Sequence, residues 1–448
     1  MRRPIFKPAK TEDIASFLFQ TNPLVWLYAI AVIVITLYNL TPPFNTYDTP
    51  YYINAGEHLL NNGSPDCLRT PVYPLFSMFC RWIGGNSSMN AIVTVFQSLL
   101  FLVSIYSLYD TCRRVVKRPY LSFAITLYYI LIPAAGWANE ILTESFSVSL
   151  CVILAHWIIC LIQKATWKLN IAIPILLTTM VLMRPNFIAF FAILPPLWGY
   201  QWWKTKEHSY LYALLFCLIP IGSYLGYCKA YEQQYGIFNS TASFACCRYY
   251  NLGPDDNSEW TSLTPQDAME SAFISKILTA RESGDFSYGP LCDYITETND
   301  IITVLNVLDR IESRREGDLL RQRIRLFTSS SFAFMMPWTY NHGGLSSLIH
   351  QCCHFIAFPV SFLYAVVLVS GIAILVVVIR KRRLPIIAAV LWASVATQVV
   401  GIAISGSDSF DRLLMPVLPM ALVLVGIGVG ALLPEPPMKG TQDCRSTI

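Results

Sequence analysis

What most constrains this chain is a succession of long apolar runs, none of which contains an aspartate or glutamate. They fall near residues 23–40, 90–109, 120–133, 145–162, 169–183, 187–203, 210–228, 355–379, 385–404 and 413–433. About 20 apolar residues suffice to cross a bilayer as a helix, and exclusion of acids is the pattern a hydrocarbon core enforces. Charged residues make up only 13% of the chain, against roughly 25% in soluble domains. The expected fold is an all-α integral membrane protein with about ten transmembrane helices. Pro119 and Pro174 blur some ends, so nine or eleven spans fit nearly as well.

Lysine and arginine set the orientation, because short cytoplasmic loops collect them. With the N-terminus inside, the inner segments hold Arg113, Arg114, Lys117 and Arg118, then Lys164 and Lys168, then Lys204 and Lys206, then the run Arg380-Lys381-Arg382-Arg383. Short outer loops hold almost none. Both termini are then cytoplasmic. Arg2, Arg3, Lys7 and Lys10 precede the first span without a small-residue cleavage site, so a retained helix is expected. The organisation expected is an N-terminal membrane module over 1–228 with a first outer loop at 41–89. An outer soluble segment at 229–353 follows, then C-terminal membrane helices and a short cytoplasmic tail over 354–448. The net charge of +4 is spread among loops rather than gathered on one face, so no nucleic-acid partner is expected.

The outer segment holds more than half of the acidic residues. Thr264-Pro265 reads as a helix start, with Ala268, Phe273 and Ile277 as an approximate apolar stripe. A second helical stretch is expected over 293–327. Of the cysteines, Cys67, Cys246, Cys247, Cys292, Cys352 and Cys353 fall outside the spans, where disulfides can form. Spacing alone selects no pairing.

Four places concentrate polar groups at the outer surface. Asp48 follows the first span in Tyr47-Asp48-Thr49-Pro50-Tyr51-Tyr52, and Arg69-Thr70-Pro71-Val72-Tyr73-Pro74-Leu75 comes later in that loop. The plainer reading of Asp48 is a helix cap. Glu140 and Glu144 lie four apart in the turn before the fourth span; on a helix they would share a face and repel. The plainer reading there is ordinary interfacial acids. Arg184 ends the fifth span in Met183-Arg184-Pro185-Asn186, and Arg412 follows Asp408 and Asp411. These two arginines break the positive-inside bias, so each asks for an anionic partner. Nearby carboxylates can serve, or a lipid phosphate gripped by a guanidinium. Carboxylates and arginines at one membrane face fit a reaction on a phosphate-bearing lipid, with a carboxylate taking a proton and arginines stabilising a departing phosphate. No glycine-rich nucleotide motif appears.

The pattern of Asp48 with Tyr51-Tyr52, Ala55 and Gly56, followed by Arg-x-Pro-x-Tyr-Pro-Leu, resembles the first loop of polytopic glycosyltransferases of the GT-C superfamily. Thr143-Glu144, Arg184-Pro185 and Arg412-x-x-x-Pro-x-x-Pro are similar to later landmarks of the same superfamily. The aminoarabinose and protein-mannosyl transferase group is the nearest in pattern. The resemblance runs from Asp48 to Pro419 and omits the segment 229–353. It implies that Asp48 is the catalytic base, that Glu144 and less centrally Glu140 are further active-site acids, and that Arg69 contacts donor phosphate. Tyr52, Tyr73, Arg184 and Arg412 would complete the phosphate and sugar contacts. One departure is Leu413, where relatives often carry tyrosine, which leaves the detailed role of Arg412 open.

The function expected is transfer of a monosaccharide from a polyprenyl-phosphate donor to an acceptor hydroxyl on the non-cytoplasmic face, with inversion. The acceptor is a lipid, a polysaccharide or a protein, and the setting is a cell (inner) membrane. A transporter or flippase of a lipid-linked sugar is the rival, although transporters favour ionisable groups at the midplane. A glycan polymerase would share the donor class. No cofactor is expected, and a divalent metal stays open. His350, Cys352, Cys353 and His354 have ligand-type spacing, but a membrane-entry helix accounts for them as well. The run 329–338 reads as an interfacial helix. Asn62, Asn86 and Asn239 begin Asn-x-Ser/Thr sequons.

Overall fold

The computed structural model describes residues 22–40, 43, 45–46, 48–131, 138–252, 257–314, 363–382, 385–405 and 413–434. Among them every regular element is a helix. In chain order these are α1 (Pro23–Tyr38), α2 (Thr49–Asn62), α3 (Val72–Val115), α4 (Pro119–Leu131), α5 (Glu144–Gln163) and α6 (Trp167–Met183). A 3₁₀ stretch, Pro185–Ala192, leads to α7 (Leu194–Thr205), α8 (His208–Phe216) and α9 (Leu218–Tyr235). Five short helices follow: α10 (Ser243–Asn251), α11 (Ser258–Thr261), α12 (Ala268–Glu282), α13 (Gly289–Thr298) and α14 (Ile301–Ser313). The chain returns through α15 (Leu363–Lys381), α16 (Ile386–Ser405), a 3₁₀ turn at Met415–Val417 and α17 (Leu418–Leu432).

The protein is a multi-pass, all-helical membrane protein. Among the described residues, four helices are long and apolar enough to cross a membrane: α3, α5, His208–Tyr235 and Met415–Leu432. Pro23–Tyr38, Pro119–Leu131, Trp167–Met183, Leu368–Arg380 and Ile386–Gly401 are shorter apolar helices. The expected run at 187–203 is built from the 3₁₀ stretch and α7, and the run at 210–228 from α8 and α9. Leu150, Leu154, Ile158 and Leu161 of α5 are all buried, with α3, α6 and the Met415–Val417 turn packed on it. Small residues permit the closest approach elsewhere: a Cβ on Gly428 of α17 would lie 2.5 Å from the Ala373 Cβ of α15.

Helix α3 begins far earlier than its apolar run. Its 44 residues would measure about 66 Å if straight, against about 30 Å of hydrocarbon. The helix breaks at Gly85, where φ is 69° and ψ 179°, backbone that only glycine adopts without strain. Val72–Gly84 can then leave the direction of the span. Because nothing lies within 4 Å of a Cβ built at Gly85, Gly85→Ala tests the backbone alone. It is expected to cost about 1–3 kcal/mol, read as a lower thermal midpoint in detergent. Gly199→Ala, also in open space but inside the helical α7, should leave the midpoint unchanged or raise it.

Helices α10 to α14 form their own core around Phe273, Ile277, Leu291, Ile295, Val304 and Leu308, which also takes in Cys67 and Leu68 of the loop between α2 and α3. The start expected at Thr264-Pro265 is corrected. Helix α12 begins after Asp267, whose carboxylate accepts from Glu270 N at 2.8 Å, while Glu270 Oε2 accepts from Gln266 N at 2.8 Å. Asp267 thereby satisfies the Glu270 N–H in the first turn of the helix, and the Glu270 carboxylate ties down the residue before the cap, so the helix starts here and not at the threonine three residues earlier. The buried face is consequently Glu270, Phe273, Ile274, Ile277 and Arg281, and Ala268 is exposed. Of the stretch expected over 293–327, α13 and α14 are described. The remainder lies outside the described residues, as do 329–338, His350, Cys352, Cys353, His354 and Arg412.

Candidate functional site

Asp48 occupies the N-cap position of α2, as its sequence context suggested, but its side chain makes no capping hydrogen bond. Thr49 does the local work: its Oγ1 accepts from Thr46 N at 2.9 Å and donates to Ile141 O at 3.2 Å. The Asp48 carboxylate instead receives Arg69 Nη2 at 2.6 Å and is buried, with the residue 3% exposed. The cap reading thus locates the helix start and misassigns the side chain.

Arg69 is placed by its loop, whose carbonyls are held by the chain that leaves α9. Tyr235 Oη donates to Pro65 O at 3.0 Å, Tyr231 Oη to Cys67 O at 2.8 Å and Ala242 N to Cys67 O at 2.7 Å. Thr241 Oγ1 and Ser243 Oγ both donate to Leu68 O, at 2.5 and 2.9 Å. From the other side, Asp66 accepts from Leu68 N and Arg69 N. Burial pushes the Asp66 carboxyl above its usual range even so. The Arg69 guanidinium lies 4.7 Å over the Tyr52 ring and 5.6 Å over that of Tyr51. Burial is the largest influence and opposes its charge, but the Asp48 carboxylate together with Tyr52, Cys292 and Tyr288 holds its pKa above the ordinary value.

Thr70 Oγ1 donates to Met183 O at 2.9 Å, which pins the loop between α2 and α3 to the end of α6. The next residue, Arg184, is 9% exposed and sits 3.3 Å from Glu144 Oε1, at the start of α5. A second ion pair therefore stands beside the first. Glu140 and Glu144 do not share a helical face: α5 begins at Glu144, and Glu140 lies in the preceding turn. Both are fully buried. Tyr73 Oη donates to Gln97 Oε1 at 3.0 Å, and Gln97 Nε2 donates to Glu140 O at 2.8 Å and Ala138 O at 3.0 Å. Tyr73 also meets the Tyr52 ring edge-on at 4.8 Å.

These groups surround a cavity of about 500 Å³. Asp48, Tyr52, Arg69 and Arg184 line it, with Asn186, Thr241, Tyr288 and Gln398 among the polar additions and Met183, Ile188 and Phe244 among the apolar ones. Tyr73, Glu140 and Glu144 stand behind that lining, supporting Tyr52, the turn and Arg184 respectively. Arg412 is outside the described residues, although its neighbour Leu413 lines the cavity. Arg69 Nε and both amide atoms of Asn186 are buried with no hydrogen-bond partner among the described residues, while Arg184 Nη1 is buried and held only by its ion pair with Glu144. Buried polar groups are ordinarily satisfied, so clustered exceptions mark a site built to receive acceptors. Asn186 was visible in Arg184-Pro185-Asn186, yet no local rule distinguishes it from a turn residue. The contributions of Thr241 and Tyr288 depend on the segment after α9 folding over the loop between α2 and α3.

Among the described residues, the His, Cys, Asp and Glu ligand atoms close enough to share a metal belong to Asp110, His156 and Cys160, all within 4.8 Å of one another. His156 is twelve residues along α5 from Glu144, about 18 Å, and Arg114 Nε already donates to Asp110 at 2.5 Å. That group has no part in the cavity.

No protein-family model matches the chain, and no curated protein matches it in sequence. Among solved structures, the crystal structure of ArnT from Cupriavidus metallidurans bound to undecaprenyl phosphate is similar at 13% identity and a TM-score of 0.37, over 91% of this chain and 77% of that one. The apo state of the same protein is similar at 14% identity and a TM-score of 0.35, over 91% of this chain and 76% of that one.

Proposed function

We propose that the chain is a membrane glycosyltransferase that moves a monosaccharide from a polyprenyl-phosphate donor to an acceptor hydroxyl on the non-cytoplasmic face, with inversion. The observation that carries this reading is the cavity in which Arg69 and Asn186 present buried polar atoms with no hydrogen-bond partner among the described residues, together with the ion-paired Arg184 guanidinium and the Asp48 carboxylate. Such a cluster suits a phosphate, whose oxygens accept from guanidinium and amide donors together. The motif resemblance from Asp48 to Pro419 supports the same reading.

In this reading the donor phosphate takes Arg69 and Arg184 as its contacts. Sharing Arg69 with the phosphate weakens its hold on Asp48, and a carboxylate that loses its cation gains proton affinity. Asp48 then accepts the proton of the acceptor hydroxyl as its oxygen attacks the anomeric carbon. The bond from that carbon to the phosphate oxygen breaks on the opposite face, and the electron pair leaves with the lipid phosphate, which the arginines stabilise. Glu144 acts through Arg184, fixing its position.

The test is purified protein with a panel of polyprenyl-phosphate sugars and candidate acceptors, following glycosylated product and released lipid phosphate. Both should appear together in equal amounts. Movement of intact lipid-linked sugar across vesicles without product would establish the transporter or flippase instead. The orientation is checked by labelling single cysteines in a cysteine-free background. A cysteine near Asp285 should react from outside, and one near Arg382 only from inside.

A further inference from the structure

We infer that Cys246 and Cys292 form a disulfide that clasps the outer helices across the wall of the cavity, an inference that rests on the outward orientation proposed for residues 229–353. Their Sγ atoms lie 3.2 Å apart, between α10 and α13. Both side chains are buried, and both residues line the cavity. A disulfide places its sulfurs about 2.05 Å apart, so closure requires a shift of only about 1 Å. A non-cytoplasmic segment is where such a bond forms and persists.

The bond would tie together two helices that hold the Arg69 loop from different sides. Helix α10 opens at Ser243, whose hydroxyl donates to Leu68 O, directly after the Ala242 N bond to Cys67 O. Helix α13 carries Asp293, whose Oδ1 accepts from Tyr51 Oη at 2.9 Å. Tyr51 is in turn one of the rings under the Arg69 guanidinium. A covalent link between α10 and α13 thus constrains both supports of the arginine paired with Asp48.

In forming the bond the two thiols lose two protons and two electrons. The electrons pass by thiol–disulfide exchange to a disulfide-bearing thiol oxidase of the outer compartment, which leaves as its dithiol. The neighbouring Cys292 sulfur and burial hold the Cys246 thiol well above its usual range, and thiolate is the attacking species. The exchange accordingly belongs to the folding chain, before α10 and α13 close on each other. Cys67 and Cys247 are the nearby cysteines outside the pair; burial pushes the Cys67 thiol up to about 12.

The experiment is non-reducing peptide mapping by mass spectrometry of the full-length protein, extracted from membranes, quenched in acid and alkylated under denaturing conditions. The Cys246 and Cys292 peptides should be recovered as one species, lighter than their sum by two hydrogens and separated by reductant. Because Cys247 shares the Cys246 peptide, Cys247→Ser should keep the link. Alkylation of both thiols without reductant, or a link from Cys292 to Cys67 or Cys247, would overturn the assignment. Reduction of the wild-type protein should also weaken its retention of polyprenyl phosphate several-fold. If the link is present and reduction leaves that retention unchanged, the bond does not hold Arg69. The mapping needs no turnover, so it stands or fails separately from the transferase reading.

Discussion

Asp48→Asn is expected to retain fold and donor binding while lowering product formation by about 10²–10⁴-fold, the usual contribution of a positioned base. Asparagine keeps the size of the side chain and one oxygen able to accept from Arg69, but loses the proton affinity. The ion pair with Arg69 supplies a competing explanation, because removing one partner of a buried pair leaves an uncompensated charge and costs about 3–5 kcal/mol. A double-mutant cycle with Arg69→Gln separates the two. If Asp48 serves only to hold Arg69, the double variant is no slower than the slower single variant, and detergent-solubilised Asp48→Asn unfolds at a lower temperature. If Asp48 is the base, the loss in Asp48→Asn persists at saturating donor and in protein of normal stability. Full-rate product from Asp48→Asn would remove Asp48 from the mechanism.

Arg184→Ala is expected to weaken binding of polyprenyl phosphate about ten- to a hundredfold, corresponding to loss of a charged hydrogen bond of about 1.5–3 kcal/mol. The substitution also strands Glu144, which is fully buried, so the informative protein is the pair Arg184→Ala with Glu144→Gln. Folding should recover in that double variant while phosphate binding stays weak. Glu144→Gln alone keeps the arginine and loses only its anchor, and should impair transfer less than Asp48→Asn. Binding is read directly, by competition with a labelled polyprenyl phosphate. Wild-type affinity in the double variant would make Arg184 and Glu144 a structural pair and leave Arg69 and Asn186 as the phosphate contacts.

The errors of the sequence reading have a common origin. The helix start at Thr264 and the shared face of Glu140 and Glu144 were both inferred from short-range spacing. Asp267 and Glu270 override the first, because the Asp267 carboxylate caps the Glu270 N–H and the Glu270 carboxylate holds Gln266 N just ahead of the cap. The second fails because α5 starts at Glu144, leaving Glu140 in a turn held by Gln97 from α3. Gln97 is a lone amide within an apolar run, and nothing in its neighbourhood shows that it faces Tyr73 and a turn more than forty positions away. The extension of α3 back to Val72 was hidden for a different reason: Gly84-Gly85-Asn86-Ser87-Ser88 interrupts the apolar run and reads as a break, although helix continues on both sides of Gly85.

By itself, the sequence determined the helical membrane class, the course of the apolar segments and the residue types available to one site. These follow from local properties: a backbone in hydrocarbon must satisfy its own hydrogen bonds, and an acid is expelled from such a run unless compensated. Asp48, Tyr52, Arg69 and Arg184 were legible because charges and aromatic residues stand out against that background. Their partners were decided only by tertiary structure. Asp48 meets Arg69 and Arg184 meets Glu144 because Thr70 fastens the first loop to the end of α6, while the end of α9 and the chain after it grip the carbonyls of residues 65, 67 and 68. Those bonds join residues far apart in sequence, and their strength depends on the burial that packing creates, which no periodicity or spacing along the chain encodes.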